Sequence, residues 1–256
     1  MKEGQRLWTR EELILGINLY CKLPFGRLHR GNPEIIQLAK LIDRTPGSVA
    51  RKLGNFARLD PSLQERGIKG LTNGGKLDKV IWNEFFENWE QRAFESEKLR
   101  AQFEKSSVLA INEVREEDLP REGKERERLV MQRVNQNFFR KMVLSSYNNT
   151  CCITGLQRPE LLVASHIRRW ADDPENRMNP RNGLALNALH DRAFEAGLIG
   201  IGAGYRVLLS SILKKSKDPA VAVHFLPYEG AELRLPKRFL PDEGFLKGHL
   251  DGRFLG

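Results

Sequence analysis

Residues 151–201 read CCITGLQRPELLVASHIRRWADDPENRMNPRNGLALNALHDRAFEAGLIGI. The run Leu161-Leu162-Val163-Ala164-Ser165-His166-Ile167 is short, apolar and bounded by loop residues, which predicts a strand. Arg168 to Arg181 is polar and holds Pro174 and Pro180, so it reads as a loop. Gly183-Leu184-Ala185-Leu186 predicts a second short strand. Asn187 is a helix cap, the helix it opens runs from about Ala188 to Ala196, and Gly197 ends it. The order is strand, loop, strand, helix. His166 closes the first strand, Asn182 precedes the second, and His190 falls in the first turn of the helix. A hairpin with a helix packed across it can bring all three to one spot.

Outward from this segment, the 256-residue chain has the composition of a globular protein, with 40% hydrophobic and 29% charged residues. No apolar run approaches the ~20 residues of a membrane span, and nothing after the charged N-terminus resembles a signal peptide. The three cysteines, Cys21, Cys151 and Cys152, are too few for a disulfide scaffold and fit a reducing, cytoplasmic setting. They also exclude a four-cysteine zinc knuckle and read as small packing residues. The formal net charge is +9 and is unevenly spread. Residues 1–80 hold 15 Lys/Arg against 8 Asp/Glu, residues 81–130 hold 9 against 13, and residues 131–256 hold 18 against 12. Two basic blocks flank an acidic one, and basic blocks attract polyanions such as nucleic acid.

The acidic stretch reads as one helix over Val80 to Lys105, with Ile81, Phe85, Trp89 and Phe94 at near-helical spacing. A charged stretch broken by Pro120 and Gly123 follows, and a linker is placed at residues 106–125. The expected domains are therefore a mainly helical module over 1–105 and a second domain over 126–256.

In the N-terminal block, Thr9 and Glu12 form a capping box for a helix through about Lys22. A second helix covers Glu34 to Ile42, and a third opens at Thr45-Pro46 and runs to about Arg58. On the third, Val49, Leu53 and Phe56 point inward, while Ser48, Arg51, Lys52 and Asn55 are assigned to an outward polar face. Helix, tight turn, then a helix bearing Arg, Lys and Asn is helix-turn-helix-like. Arg51 and Asn55 are candidates for base contacts and Lys52 for a phosphate. The start Trp8-Thr9-Arg10-Glu11-Glu12 also looks like the opening of Myb/SANT-type three-helix modules.

The 151–201 segment resembles the HNH nucleases, which have a ββα-metal fold, and within them the restriction-type endonucleases. Cys152-Ile153-Thr154-Gly155, Ala164-Ser165-His166-Ile167 with Trp170, Asn179-Pro180 with Asn182-Gly183-Leu184, and His190-Asp191 with Ala193-Phe194 carry the likeness. Arg133-Val134-Asn135-Gln136, Phe139-Arg140, Tyr147, Leu235-Pro236 and Phe245-Leu246 extend it over about residues 125–250. The resemblance implies His166 as general base, Asn182 as the brace of loop and base, and His190 as ligand of one divalent metal. Mg²⁺ is the first expectation, with Mn²⁺, Ni²⁺ or Zn²⁺ as alternatives. It implies cleavage of DNA to 5′-phosphate and 3′-hydroxyl ends.

Many HNH nucleases carry Asp or His just before the base, as a second metal ligand. Here Ser165, a weak ligand, stands there, so another carboxylate is needed. Asp191 is nearest in sequence, with Asp172 and Asp173 in the loop. Arg168, Arg169, Arg177 and Arg181 crowd that loop as candidate phosphate contacts. His29, His224 (in the strand-like run VAVHF) and His249 are read as structural or surface residues, with His249 set near the site if the tail folds back.

The sequence thus predicts an α+β protein: a helix-turn-helix-like N-terminal module, then a ββα-metal HNH nuclease domain with a β-rich tail. Its expected partner is double-stranded DNA, in a restriction or defence setting, and cutting both strands with one site per chain suggests a homodimer. The alternative is a non-cleaving DNA-binding regulator on a degenerate HNH scaffold, which Ser165 keeps open.

Overall fold

The computed structural model describes residues 6–67 and 74–256. The chain forms two compact units, 1–138 and 139–256. The fold is mixed α+β: helices dominate, and the strands form two small antiparallel pairs.

The first unit contains helices α1 (Arg10–Lys22), α2 (Pro33–Leu41), α3 (Pro46–Ala57), α4 (Pro61–Glu65), α5 (Lys76–Glu87), α6 (Trp89–Phe103) and α7 (Val108–Ile111). Side-chain caps start them where the sequence expects. Thr9 and Glu12 close a capping box on α1, Asn32 caps α2, and Thr45 caps α3 with Pro46 next to it. The stretch 80–105 is two helices rather than one. Asn88 leaves helical backbone and its side chain caps α6 by accepting from Gln91 N, so a polar capping residue divides an otherwise continuous pattern. The core joins Leu13, Ile17 and Tyr20 of α1 to Leu53 and Phe56 of α3 and Trp82 of α5. Tyr20 meets Phe56 and Trp82 edge-on at 6.2 and 5.5 Å. The charged stretch 106–125 lies inside this unit and carries α7, capped by Ser107.

The outward polar face assigned to α3 needs correcting. Lys52 and Asn55 are both buried. Lys52 Nζ pairs with Asp78 at 2.8 and 2.9 Å. The reason lies in the spacing: Val49, Lys52, Leu53 and Phe56 sit at i, i+3, i+4 and i+7, so Lys52 is part of the apolar stripe. Arg51 alone of the three DNA-contact candidates on this helix is exposed. Lys52→Ala is therefore expected to destabilise the first unit by about 3–5 kcal/mol, because it strands a buried Asp78 carboxylate. Arg51→Ala is expected to leave the melting temperature unchanged. Thermal unfolding of the two variants measures the contrast.

Helix α8 (Lys124–Ser146) starts in the first unit and ends in the second. In the second unit follow β1 (Leu162–His166), β2 (Gly183–Asn187), α9 (Ala188–Glu195), β3 (Ile199–Gly202) and β4 (Arg206–Leu209). Then come α10 (Ser211–Lys214), α11 (Pro219–His224) and α12 (Glu243–Gly252). β1 and β2 are antiparallel, with Ser165 opposite Leu184 and His166 opposite Gly183. α9 packs on this hairpin and on β3, and α12 packs on β3. A side chain at Gly183 would put its Cβ 2.4 Å from Val143 Cγ2 and 3.1 Å from Phe139 Cζ. The bare glycine thus admits the end of α8 directly beside His166. The tail is one hairpin, β3–β4, followed by helices. The strand-like run containing His224 is helical because Asp218 caps it and Pro219 occupies its first turn.

Candidate active site

His166 ends β1. Its ring stacks on Phe139, with centroids 3.9 Å apart and planes 12° from parallel, and meets Trp170 edge-on at 5.5 Å. Its Nε2 lies 2.9 Å from the carbonyl oxygen of Arg177. A carbonyl can only accept, so Nε2 carries the proton and Nδ1 keeps its lone pair. No described residue donates to Nδ1. Burial lowers the pKa of the ring from its ordinary value, against smaller raising contributions from the Arg177 carbonyl and Glu195. The imidazole is thus oriented, neutral and equipped with one available acceptor nitrogen.

Asn182 holds the loop that supplies that carbonyl. It is fully buried. Its Oδ1 accepts from Arg168 N at 2.7 Å, and its Nδ2 donates to the carbonyls of Arg168 and Asn176 at 3.0 and 3.2 Å. Ile167 N donates to the Asn182 carbonyl at 3.0 Å. One amide side chain thereby joins the start of the loop, the residue before Arg177 and the start of β2. It positions the loop that orients His166.

The structure separates His190 from the other candidates. His190 is buried, its Nε2 donates to the His224 carbonyl at 2.8 Å, and its Nδ1 is 3.4 Å from Asn187 Nδ2. Phe225 and Tyr228 flank the ring, each at 5.3 Å. Both nitrogens are engaged inside the protein. Burial pushes the neighbouring Cys151 thiol up, but hydrogen bonding to His190 and Thr154 outweighs it, bringing the thiol down to about 7. All three cysteines are buried and unbridged.

Asp191 and Glu195 occupy the other side of α9. They stand at i and i+4, while His190, Ala193 and Phe194 form the buried stripe at i, i+3 and i+4. Burial raises the Asp191 pKa, the Ser165 hydroxyl opposes this, and the Glu195 charge adds to the rise. Ser165 Oγ is itself buried and makes no hydrogen bond of normal geometry. Glu195 acts electrostatically on both His166 and Asp191. Ser165 and His166 end β1, and Asp191 and Glu195 lie on α9, which packs against this strand. Glu195, which sequence reading did not single out, stands four residues after Asp191 on the same helix.

Among the described residues, no three His, Cys, Asp or Glu side chains converge as a ready-made metal ligand set. The donors present are an unsatisfied hydroxyl and two carboxylates, all oxygen. That set suits a hard divalent cation that keeps waters and takes the remaining oxygens from a phosphate. A cation would also offset the desolvation that raises Asp191.

The four loop arginines differ. Arg168 pairs with Asp173 at 3.2 Å and lies over Phe245, 5.1 Å from the ring centre. Arg181 pairs with Asp242 at 3.2 Å. Arg177 lies over Trp170 at 5.2 Å. Arg169 is exposed; its carbonyl accepts from Asp172 N and Asp173 N at 3.1 and 3.3 Å, while its side chain has no hydrogen-bond or ion-pair partner among the described residues. Asp172 and Asp173 stay in the loop, where Asp173 caps a turn by accepting from Asn176 N at 3.1 Å.

His249 of α12 lies behind the site. Its ring stacks on Phe194 at 3.8 Å, and its Nε2 donates to the Phe194 carbonyl at 3.1 Å. Burial, with help from the charges of Arg253 and Arg169, lowers its pKa to about 4. Below the ordinary value of about 6.5 the unfolded chain binds a proton that the folded chain refuses. Stability is thus expected to be full above about pH 6.5 and to fall by roughly 3 kcal/mol as the pH drops toward 4. Melting temperatures of wild type and His249→Asn across this window check it; the variant should show the shallower dependence.

No curated protein matches the chain. No helix among the described residues is long and apolar enough to cross a membrane. Residues 151–202, which carry the hairpin, its loop, α9 and all of β3, match the family model described as HNH endonuclease. In this strand–loop–strand–helix segment the chain is thus similar to the HNH endonucleases.

Proposed function

We propose that the chain is a metal-dependent DNA endonuclease that hydrolyses phosphodiester bonds. One observation carries the reading: an imidazole with Nε2 tied to a backbone carbonyl and Nδ1 available, at the end of a strand against which the helix bearing two carboxylates packs. His166 Nδ1 takes a proton from the attacking water. The Arg177 carbonyl holds the ring in the required tautomer, and Asn182 holds the loop that presents this carbonyl. Phe139 and Trp170 fix the ring plane and keep it partly dry. Asp191 and Glu195, with Ser165, would hold one divalent cation, Mg²⁺ or Mn²⁺ before Ni²⁺ or Zn²⁺ given the oxygen donors. When bound, the cation supplies charge stabilisation at the phosphate and the leaving 3′ oxygen. The products are 5′-phosphate and 3′-hydroxyl ends. His190 supports α9 from inside rather than binding the cation.

The substrate is double-stranded DNA, and the first unit adds DNA contacts through its basic surface, including Arg51. A homodimer places two such sites on two strands. A restriction or defence role fits an endonuclease that joins a cutting unit to a separate basic helical unit. A second reading, a DNA-binding regulator without cleavage, draws on Ser165 standing where a stronger ligand is common. Incubation of supercoiled plasmid, with and without base modification, in Mg²⁺, Mn²⁺, Ni²⁺ or EDTA separates the two. Metal-dependent nicked or linear product supports the nuclease. Binding without product under every metal supports the regulator.

A further inference from the structure

Within the first unit, the starts of α3 and α5 and the stretch leading into α1 enclose a cavity of about 1020 Å³. Trp8 lines it and gathers two cations, with Arg44 over its ring at 4.2 Å and Lys52 at 5.1 Å. Each of these is paired with a carboxylate, Arg44 with Glu12 at 2.7 Å and Lys52 with Asp78 at 2.8 Å. Asp78 belongs to the first turn of α5 and also accepts from Gly75 N at 3.0 Å. The buried Lys52–Asp78 pair thus ties α3 to the start of α5 and fixes two helix starts on one cavity.

The rest of the lining is open and positive. Arg51 of α3 and Lys76 of α5 are exposed, and neither side chain has a hydrogen-bond or ion-pair partner among the described residues. Five cationic side chains line the cavity, against Asp43, Asp78 and Glu12, which pairs with Arg6 and Arg44. Cations therefore outnumber carboxylates. Gly47, in the first turn of α3, adds an N–H with no acceptor among the described residues, and a Cβ there would meet nothing within 4 Å. Free N–H groups at a helix start carry partial positive charge. At α5 the cap is Gly75, which has no side chain to occupy the helix start. Leu7 and Leu77 line the same space and are 77% and 41% exposed. Unpaired cations and backbone donors beside an apolar wall match a phosphate and the sugars next to it. Base edges would need donors and acceptors in alternation.

We propose that this cavity binds the DNA backbone, with Arg51, Lys76 and Gly47 N–H donating to phosphate and Leu7 and Leu77 against the neighbouring sugars. The proposal rests on the nuclease reading for its substrate. The cavity lies in the first unit and His166 in the second, so it holds DNA without taking part in the chemistry.

The test is DNA binding in EDTA, read as fluorescence anisotropy of a labelled duplex over a series of salt concentrations. Arg51→Ala and Lys76→Ala are each expected to flatten the slope of log affinity against log salt by about 0.9, the share of one phosphate contact. Gly47→Asp sets a carboxylate at a helix start, where there is room for it and the helix dipole favours it, so the fold is kept. It is expected to bind DNA about tenfold or more weakly than Gly47→Asn, its uncharged match. Equal affinity in the Asp and Asn variants, wild-type slopes in both alanine variants, or no DNA binding by the wild type overturns the proposal. Calorimetry with inorganic phosphate separates the two sources of the anion. Phosphate binding that Gly47→Asp abolishes, beside unchanged DNA slopes, assigns the cavity to a small phosphorylated ligand and overturns the DNA assignment. Because binding is read without metal, a wild type that binds through these residues but cuts nothing counts against the nuclease reading alone.

Discussion

His166→Ala is expected to lower the rate of DNA cleavage by about 10²–10⁴-fold, the range for losing a positioned general base. DNA affinity in EDTA should stay near the wild-type value, because the side chain contacts Phe139, Trp170 and a carbonyl rather than carrying charge. The pH profile gives a second readout. Burial lowers the His166 pKa, so the lone pair on Nδ1 remains available as the pH falls below the ordinary value of about 6.5. The acid limb of the cleavage profile should accordingly lie below 6.5. A variant that melts like wild type, binds DNA and still cuts at the wild-type rate would remove His166 from the reaction.

The second large effect separates two neighbours on α9. Asp191→Ala with Glu195→Ala is expected to abolish saturable Mn²⁺ binding, followed by calorimetry or by the Mn²⁺ paramagnetic resonance signal. Even outer groups around a metal are worth about 10–100-fold in affinity, and in the proposed site these two would supply the charged oxygens themselves. Relief of carboxylate repulsion should leave the double variant at least as stable as wild type, since burial and Glu195 both raise the Asp191 pKa. His190→Ala should do the reverse. It leaves the His224 carbonyl without its donor and a cavity between Phe225 and Tyr228, a loss of about 3 kcal/mol. Its Mn²⁺ affinity should be retained at temperatures where it is folded. A folded His190→Ala protein that has lost Mn²⁺ binding, beside an Asp191/Glu195 variant that keeps it, would return the ligand role to His190.

The contrast between these neighbours shows how far the sequence carries. Local signals set the elements: Asn187 caps α9, Gly197 ends it, Thr45-Pro46 opens α3, and alternation with flanking turns marks β1 and β2. Such signals work because they act over three or four residues, through backbone hydrogen bonds and φ preferences that need no partner elsewhere. The HNH likeness was legible for the same reason, as a short run of residue types at fixed spacing.

Which face of each helix is buried was only half legible. His190 shares its stripe with Ala193 and Phe194, and Lys52 shares its stripe with Val49, Leu53 and Phe56, so the spacing already pointed inward. Polarity argued the other way. Tertiary structure decided the matter by supplying partners that make burial tolerable: the His224 carbonyl for His190 and the Asp78 carboxylate for Lys52. A polar side chain enters a core only when its hydrogen bonds are met there, and those partners come from 34 and 26 residues away in the chain. The same holds for the carbonyl of Arg177 that fixes the His166 tautomer, and for Arg253, seated beside α9 by contacts that no local pattern announces. The sequence by itself determined the segment, its elements and its likeness to the HNH endonucleases. Long-range packing alone decided which of its polar residues face one another, because that depends on where distant backbone acceptors come to rest.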